Sequence, residues 1–188
     1  MGQIIILGAG TMAQEVADLI REIGQDEVLG YCVNKGKPGL SLDGKPVYWV
    51  DDLPKFLDRN IKVVRAIFSP LCYSFIKEVE NMGFEFATII HPSSSISKKA
   101  IIEPGTVINR LVAIGFNSFI GKHCLINRGC TIGHHCQLEE GVTLGPGVNI
   151  AGSVYVGKRT LIGMGSNIIQ NVVVENDIRI KAGLLILK

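Results

Sequence analysis

The side chains that could do chemistry near neutral pH are few. The most suggestive are two adjacent histidines, His134 and His135, in the run Thr131-Ile132-Gly133-His134-His135-Cys136. A neutral imidazole, with an ordinary pKa of about 6.5, can take a proton from an attacking amine or hydroxyl and hand it on. An exposed pair with no function is the plainer alternative. His91 precedes Pro92 and is expected to pack or hydrogen-bond at a join between domains, and His123 is expected on a solvated surface. Five cysteines are an odd number and include no C-x-x-C. Cys124, Cys130 and Cys136 recur at one register position and read as small core residues, not as metal ligands or disulfide partners. No metal site is expected.

A second candidate lies near the N-terminus. Gly8-Ala9-Gly10-Thr11-Met12-Ala13 fits G-x-G-x-x-A, between an apolar strand at 3–7 and a helical pattern at about 12–23. Such a turn offers main-chain N–H groups at a helix start, which suit a phosphate. The acid that would hold a ribose is missing, since the second strand ends in Asn34-Lys35. The turn therefore reads as a nucleotide-phosphate site, with a tight turn that binds nothing as the alternative. NAD(P) redox chemistry is disfavoured, because the segment is short for a full dinucleotide domain.

A six-residue period decides what positions the histidines. From Ser95 onward the second residue of every hexad is aliphatic, sixteen in a row from Ile96 to Ile186. In a chain that is 47% apolar, such a run arises by chance on the order of once in 10^5 trials. A helix would turn successive members of the series in three directions, whereas extended chain points them all one way. The sixth position is small or apolar, as in Thr106, Val112, Ser118 and Cys124, and the fourth is mostly polar, as in Arg110, Lys122 and Arg128. A corner must lie between them. Gly115, Gly121, Gly133 and Gly145 stand at the third position, where a corner is expected to need φ > 0. Short strand, corner and short strand, stacked hexad on hexad, make a parallel β-helix. His134 and His135, at positions four and five, project from one corner.

Upstream, strand and helix patterns alternate. Strands are expected at 3–7, 27–33, 62–68 and 86–90, with helices at 12–23, 51–57 and 73–82. That argues a small Rossmann-like parallel α/β domain over residues 1–90, ahead of the β-helix over 91–188. Net charge is +2 with no basic run, so nucleic acid is not an expected partner. No apolar stretch is long enough to span a membrane, so no membrane insertion is expected. The start lacks a basic n-region and reads as a buried strand, so a cytoplasmic location is expected.

The domain order, the join Ile89-Ile90-His91-Pro92-Ser93 and the 131–136 run together resemble the bacterial sugar acyltransferases of the PglD/NeuD type. The resemblance covers almost the whole chain. It implies a left-handed β-helix, with about 18 residues per coil, and a homotrimer packed through the helices. Members acetylate amino groups on nucleotide-linked sugars, or hydroxyls on sialic acid, from acetyl-CoA.

The resemblance implies roles residue by residue. His134 matches the family's general base for direct transfer. His135 stands where Glu or Asp is usual, and it can orient the ring but supplies no negative charge; Glu139 or Glu140 is the alternative carboxylate. Thr143 replaces a second histidine that helps hold the acetyl carbonyl. Gly152, in Ala151-Gly152, is the expected oxyanion donor, and Met164 and Ala182 are further expected acetyl-CoA contacts. The acceptor is assigned to Gly8, Gly10, Thr11, Asn34, Lys35 and Phe68. Here the family's Gly-x-x-Gly-His loop has Thr11 and Met12 in its last places. Phe68 replaces a common glycine, and its ring either fills nucleotide space or stacks on a base. The function implied is N-acetylation of a nucleotide-linked amino sugar. The alternatives are O-acetylation of a sialic acid-type sugar and a non-catalytic hexapeptide-repeat binding protein.

Overall fold

The computed structural model describes residues 2–35 and 41–187, with Asp58 described by its main chain alone. The chain divides into two compact units, Met1–Ala87 and Thr88–Lys188.

In the first unit β1 (Gly2–Leu7) pairs in parallel with β2 (Asp26–Val33) on one side. On its other side lies β5 (Ile61–Arg65). Ile4, Ile5, Ile6 and Leu7 are each at most 1% exposed, as a central strand covered on both faces requires. β4 (Lys45–Trp49) extends the sheet beyond β2. β3 (Ser41–Leu42) joins β4 antiparallel through Asp43 and Gly44, both with positive φ, giving the order β3-β4-β2-β1-β5. The sheet is therefore mixed rather than wholly parallel. Helix α1 (Thr11–Ile23) buries Ala13, Val16, Ala17, Leu19 and Ile20, the helical stripe. It ends where Gly24 turns left-handed (φ 71°) and donates to the Ile20 carbonyl at 3.1 Å. Helix α2 (Tyr73–Asn81) buries Phe75, Ile76 and Val79. The expected helix at 51–57 is instead a 3-10 segment, Val50–Arg59, in which Pro54 removes a donor that an α-helix would use.

The expected last strand of this unit does not form. Phe86 makes only an isolated bridge to Val63. Ile89–Ile90 pairs with Val107–Ile108, so the hexads begin one repeat before Ser95. The main chain divides at Ala87/Thr88, three residues before the expected boundary.

The second unit is a left-handed parallel β-helix with three sheets. Each two-residue strand pairs with the one eighteen residues on, as Ala113 with Thr131 and Thr131 with Asn149. The second hexad position points inward, and Ile108, Ile120, Ile126, Leu138, Leu144 and Ile162 have no exposed surface. The sixth position supplies a second inward row. Its hydroxyls tie coil to coil: Thr106 Oγ1 donates to the Gly121 carbonyl at 2.8 Å and Ser118 Oγ to that of Gly133 at 2.7 Å. Cys124, Cys130 and Cys136 fill the same slot and donate through sulfur to the carbonyls of Glu139, Gly145 and Ala151.

The corner differs from the expectation. Positive φ falls at the fifth hexad position, as at Asn117, His123, His135 and Ser153, and not at the third. The third-position glycines answer a different need, close approach between coils. A Cβ on Gly133 would lie 2.7 Å from the Ala151 carbonyl carbon, and one on Gly115 equally close to Gly133. Sequence cannot separate these causes, because glycine relieves both.

The two kinds of glycine should behave differently on substitution. Gly129→Ala keeps open space around its Cβ at φ 68° and should cost roughly 1 kcal/mol from left-handed strain. Gly133→Ala forces main chain apart and should cost up to about 3 kcal/mol. Thermal melting of the two variants checks the order; equal losses would contradict the close-approach argument.

Candidate functional site

Two separate places in the fold carry the candidate residues. The first is a corner of the β-helix, between the sheet that contains Thr131–Ile132 and the one that contains Gln137–Leu138. The eighteen-residue register stacks residues 116, 134 and 152 there. His135 N–H donates to the Phe116 carbonyl at 2.9 Å and Ser153 N–H to that of His134 at 2.8 Å. His134 and His135 are both exposed, and their Nδ1 atoms lie 3.0 Å apart. That distance requires one Nδ1–H and one lone pair, so the two rings hold opposite tautomers. The His134 ring lies against Gly152: a Cβ there would fall 2.5 Å from its Cε1 and 2.6 Å from its Nε2. Gly152 is not in the left-handed region, so its lack of a side chain serves the ring above it. His134 thus has an oriented imidazole, an exposed face and a glycine main chain beneath it.

The other candidates fall elsewhere. Glu139 accepts from Gln137 Nε2 at 2.7 Å and stands with Glu140 at the following corner, so the hydrogen-bond partner of His134 is His135 and not a carboxylate. Met164 (59% exposed) and Ala182 are accessible, but on the corner that precedes the Asn149 and Asn167 strands. Within one chain they do not meet His134. Thr143, expected to touch acetyl-CoA, is fully buried on the sheet of Leu125 and Leu161. Its side chain offers no surface to a ligand in this single chain. His123 is 1% exposed, not solvated: a corner fixes where a side chain leaves the coil, not what covers it. His91 accepts at Nδ1 from the Ser93 amide at 3.1 Å, the hydrogen-bonding alternative of the packing or hydrogen-bonding role expected of it.

The second place is a cleft of about 410 Å³ in the first unit, at the C-terminal ends of β1, β2 and β5. This is where the strand order reverses, the usual ligand crevice of an open α/β sheet. All six expected acceptor residues line it: Gly8, Gly10, Thr11, Asn34, Lys35 and Phe68. Gly8 (φ 124°) must lack a Cβ, which would sit 2.9 Å from Ile67 and 3.0 Å from the Ala66 carbonyl oxygen. Gly10 faces open space, and no side chain caps α1. Lys35 is the only charged residue in the described lining, so the cleft suits an anion. Ser69, Leu71 and Ser74 also line it and were not anticipated. The signal was present in Ser69-Pro70: Ser69 caps a short 3-10 turn, accepting from the Leu71 amide at 3.3 Å, with Pro70 at its start.

The cysteines take no part as nucleophiles. All five are buried free thiols. Burial pushes Cys32 up to about 12 and Cys130 up to about 11. Burial also raises Cys72, against the pull of the nearby Arg65 guanidinium.

Gly152→Ala should displace the His134 ring without harming the fold, because the clash is with a side chain that can rotate. The expected melting temperature is within about 2 °C of the native protein, with the His134–His135 hydrogen bond lost in a crystal structure of the variant. An undisturbed ring would contradict the placement.

Comparison with known proteins places both units. The profile of the PglD N-terminal domain matches residues 3–70. The bacterial transferase hexapeptide profile matches 117–152, and the hexapeptide repeat of succinyl-transferase matches 153–188. A variant of perosamine N-acetyltransferase from Caulobacter crescentus, in complex with CoA and GDP-perosamine, superposes with a TM-score of 0.93 at 28% identity, over 100% of this chain and 90% of that one. The acetyltransferase domain of PglB from Neisseria gonorrhoeae superposes with a TM-score of 0.87 at 22% identity, over 100% and 92%. WeeI from Acinetobacter baumannii gives 0.71 at 21%, over 98% and 96%; these last two are likenesses of fold. No curated protein sequence matches significantly. Among the described residues no helix is long and apolar enough to cross a membrane.

Proposed function

We propose that this chain, which belongs to the PglD/NeuD-type hexapeptide-repeat sugar acyltransferases, is an acetyl-CoA-dependent N-acetyltransferase acting on the amino group of a nucleotide-linked sugar. The observation that carries this reading is the His134 corner. There an exposed imidazole is hydrogen-bonded through Nδ1 and lies with Nε2 over the Gly152 main chain. With Nδ1–H given to His135, the free lone pair of His134 is on Nε2, the atom a general base needs.

The sugar amine attacks the thioester carbonyl, and a C–N bond forms. Nε2 of His134 takes the proton that the nitrogen sheds. The C–S bond then breaks, and His134 returns the proton to the CoA sulfur. The thioester is already activated, so no enzyme-bound acyl group is needed. A donor at the oxyanion is part of this reading, and the Gly152 amide is its candidate. The cleft takes the nucleotide: its anion-friendly lining is supported by Gly10, Thr11 and Lys35, with Asn34 and Phe68 on its walls. The Caulobacter protein in complex with CoA and GDP-perosamine supports both ligand classes. The chain acts as a cytoplasmic homotrimer in this reading. The exposed Met164 and Ala182 of one copy then serve acetyl-CoA at the His134 corner of the next.

His134→Ala should lower turnover by about 10^2 to 10^4 with acetyl-CoA binding nearly unchanged. His135→Ala should cost less, and His135→Glu should raise the rate or leave it unchanged, because a carboxylate stabilises a neighbouring imidazolium. Acetyl transfer to a panel of nucleotide-linked amino sugars measures all three. Full activity in His134→Ala would refute the mechanism.

Sedimentation of the active enzyme should give a trimer. An active monomer at working concentration would remove the assignment of Met164 and Ala182.

A further inference from the structure

The histidine pair lacks the charge that usually steadies a catalytic imidazole, yet its geometry is specific. A carboxylate presents two equivalent oxygens and accepts from an imidazole whichever way it turns. His135 has one acceptor in reach, and a half-turn of its ring about χ2 would replace Nδ1 by a C–H. Something must hold that ring.

Phe116 is placed to do so. It stands one coil from His134, at the fourth hexad position, and is 54% exposed. It is a large apolar side chain outside the β-helix core. Its ring packs edge-on against that of His135, with centroids 5.6 Å apart and planes at 65°. Its carbonyl accepts the His135 N–H at 2.9 Å. His135 is itself at φ 57°, so main chain and ring of this residue are both fixed from the same neighbour.

We propose that Phe116 is a positioning residue: its ring holds His135 in the orientation that accepts the Nδ1–H of His134, replacing by packing the hold that a carboxylate exerts by charge. The proposal rests on His134 being the base. It goes further in naming what fixes the tautomer. With His135 held, His134 keeps its proton on Nδ1 and its lone pair on Nε2. With His135 free to turn, the two tautomers of His134 mix, and only part of the population can take a proton from substrate.

The test uses the full chain with 15N-labelled histidine. In the native protein, one-sided tautomers are expected for His134 (Nδ1–H) and His135 (Nε2–H). Phe116→Leu should give averaged 15N shifts for both rings, and Phe116→Tyr should restore the native pattern. In turnover, Phe116→Leu should lower kcat about three- to tenfold, the scale of an aromatic pair, with KM for acetyl-CoA nearly unchanged. In a His135→Glu background the same substitution should change kcat by less than about twofold, since a carboxylate needs no such hold. Native tautomers in Phe116→Leu would overturn the proposal, as would equal losses of kcat in both backgrounds. Averaged tautomers with unchanged kcat would sustain the positioning role and instead refute His134 as the base.

Discussion

The structure around the histidines depends on one constraint, the main-chain hydrogen bonding between successive coils. Gly115 N–H reaches the Ile132 carbonyl and Gly133 N–H that of Ile150, each at 2.8 Å, and the corners repeat the pattern. This ladder sets the rise of the helix and locks residues eighteen apart into columns. Phe116, His134 and Gly152 are neighbours for that reason alone. From Gly105 onward each corner also carries a left-handed residue at its fifth hexad position, costing roughly 1 kcal/mol or more where the residue is not glycine. His135 accepts that strain at φ 57°. Strained non-glycine positions of this kind tend to be held by their surroundings, and here the surroundings are the Phe116 carbonyl and ring.

Placing two imidazoles in contact has an electrostatic consequence. A carboxylate partner would lower the energy of the imidazolium directly. A neutral imidazole contributes a charge-assisted hydrogen bond to the protonated ring and nothing at longer range. The pair therefore relies on orientation more than on field. Steric definition from Gly152 below and Phe116 beside it matters more here than it would with an acid in place of His135.

The cleft in the first unit obeys a different rule. Its residues come from three strand ends that the parallel sheet brings together at its switch point. The glycines divide the work there: Gly8 lets the chain pass close to Ala66, and Gly10 leaves room above the start of α1. With Lys35 the only charge in its described lining, the cleft offers the uncapped start of α1 and one cation, which suit an anion.

The β-helix was legible because six is an even number and every coil repeats the same demand. Sixteen aliphatic residues in register can be satisfied only by short strands that all face one interior. The histidine corner was legible for the same reason, since the register places His134 and His135 before any coordinate is known. The alternation of strand and helix, together with Gly8 and Gly10, likewise located the cleft. Three-dimensional contact decided what a register cannot carry. Glycine at position three could have meant left-handed backbone; the structure shows close approach to the next coil. Thr143 and His123 hold regular places in the repeat but are buried, because what covers a side chain from outside is not written in its own hexad. Ile89–Ile90 looked like the end of one domain and is the first rung of the other, since a two-residue strand takes its identity from its partner, here Val107–Ile108. The pairing of His134 with His135, and of His135 with Phe116, joins residues by distance and ring angle. Those depend on rotamers that local sequence leaves open and packing closes.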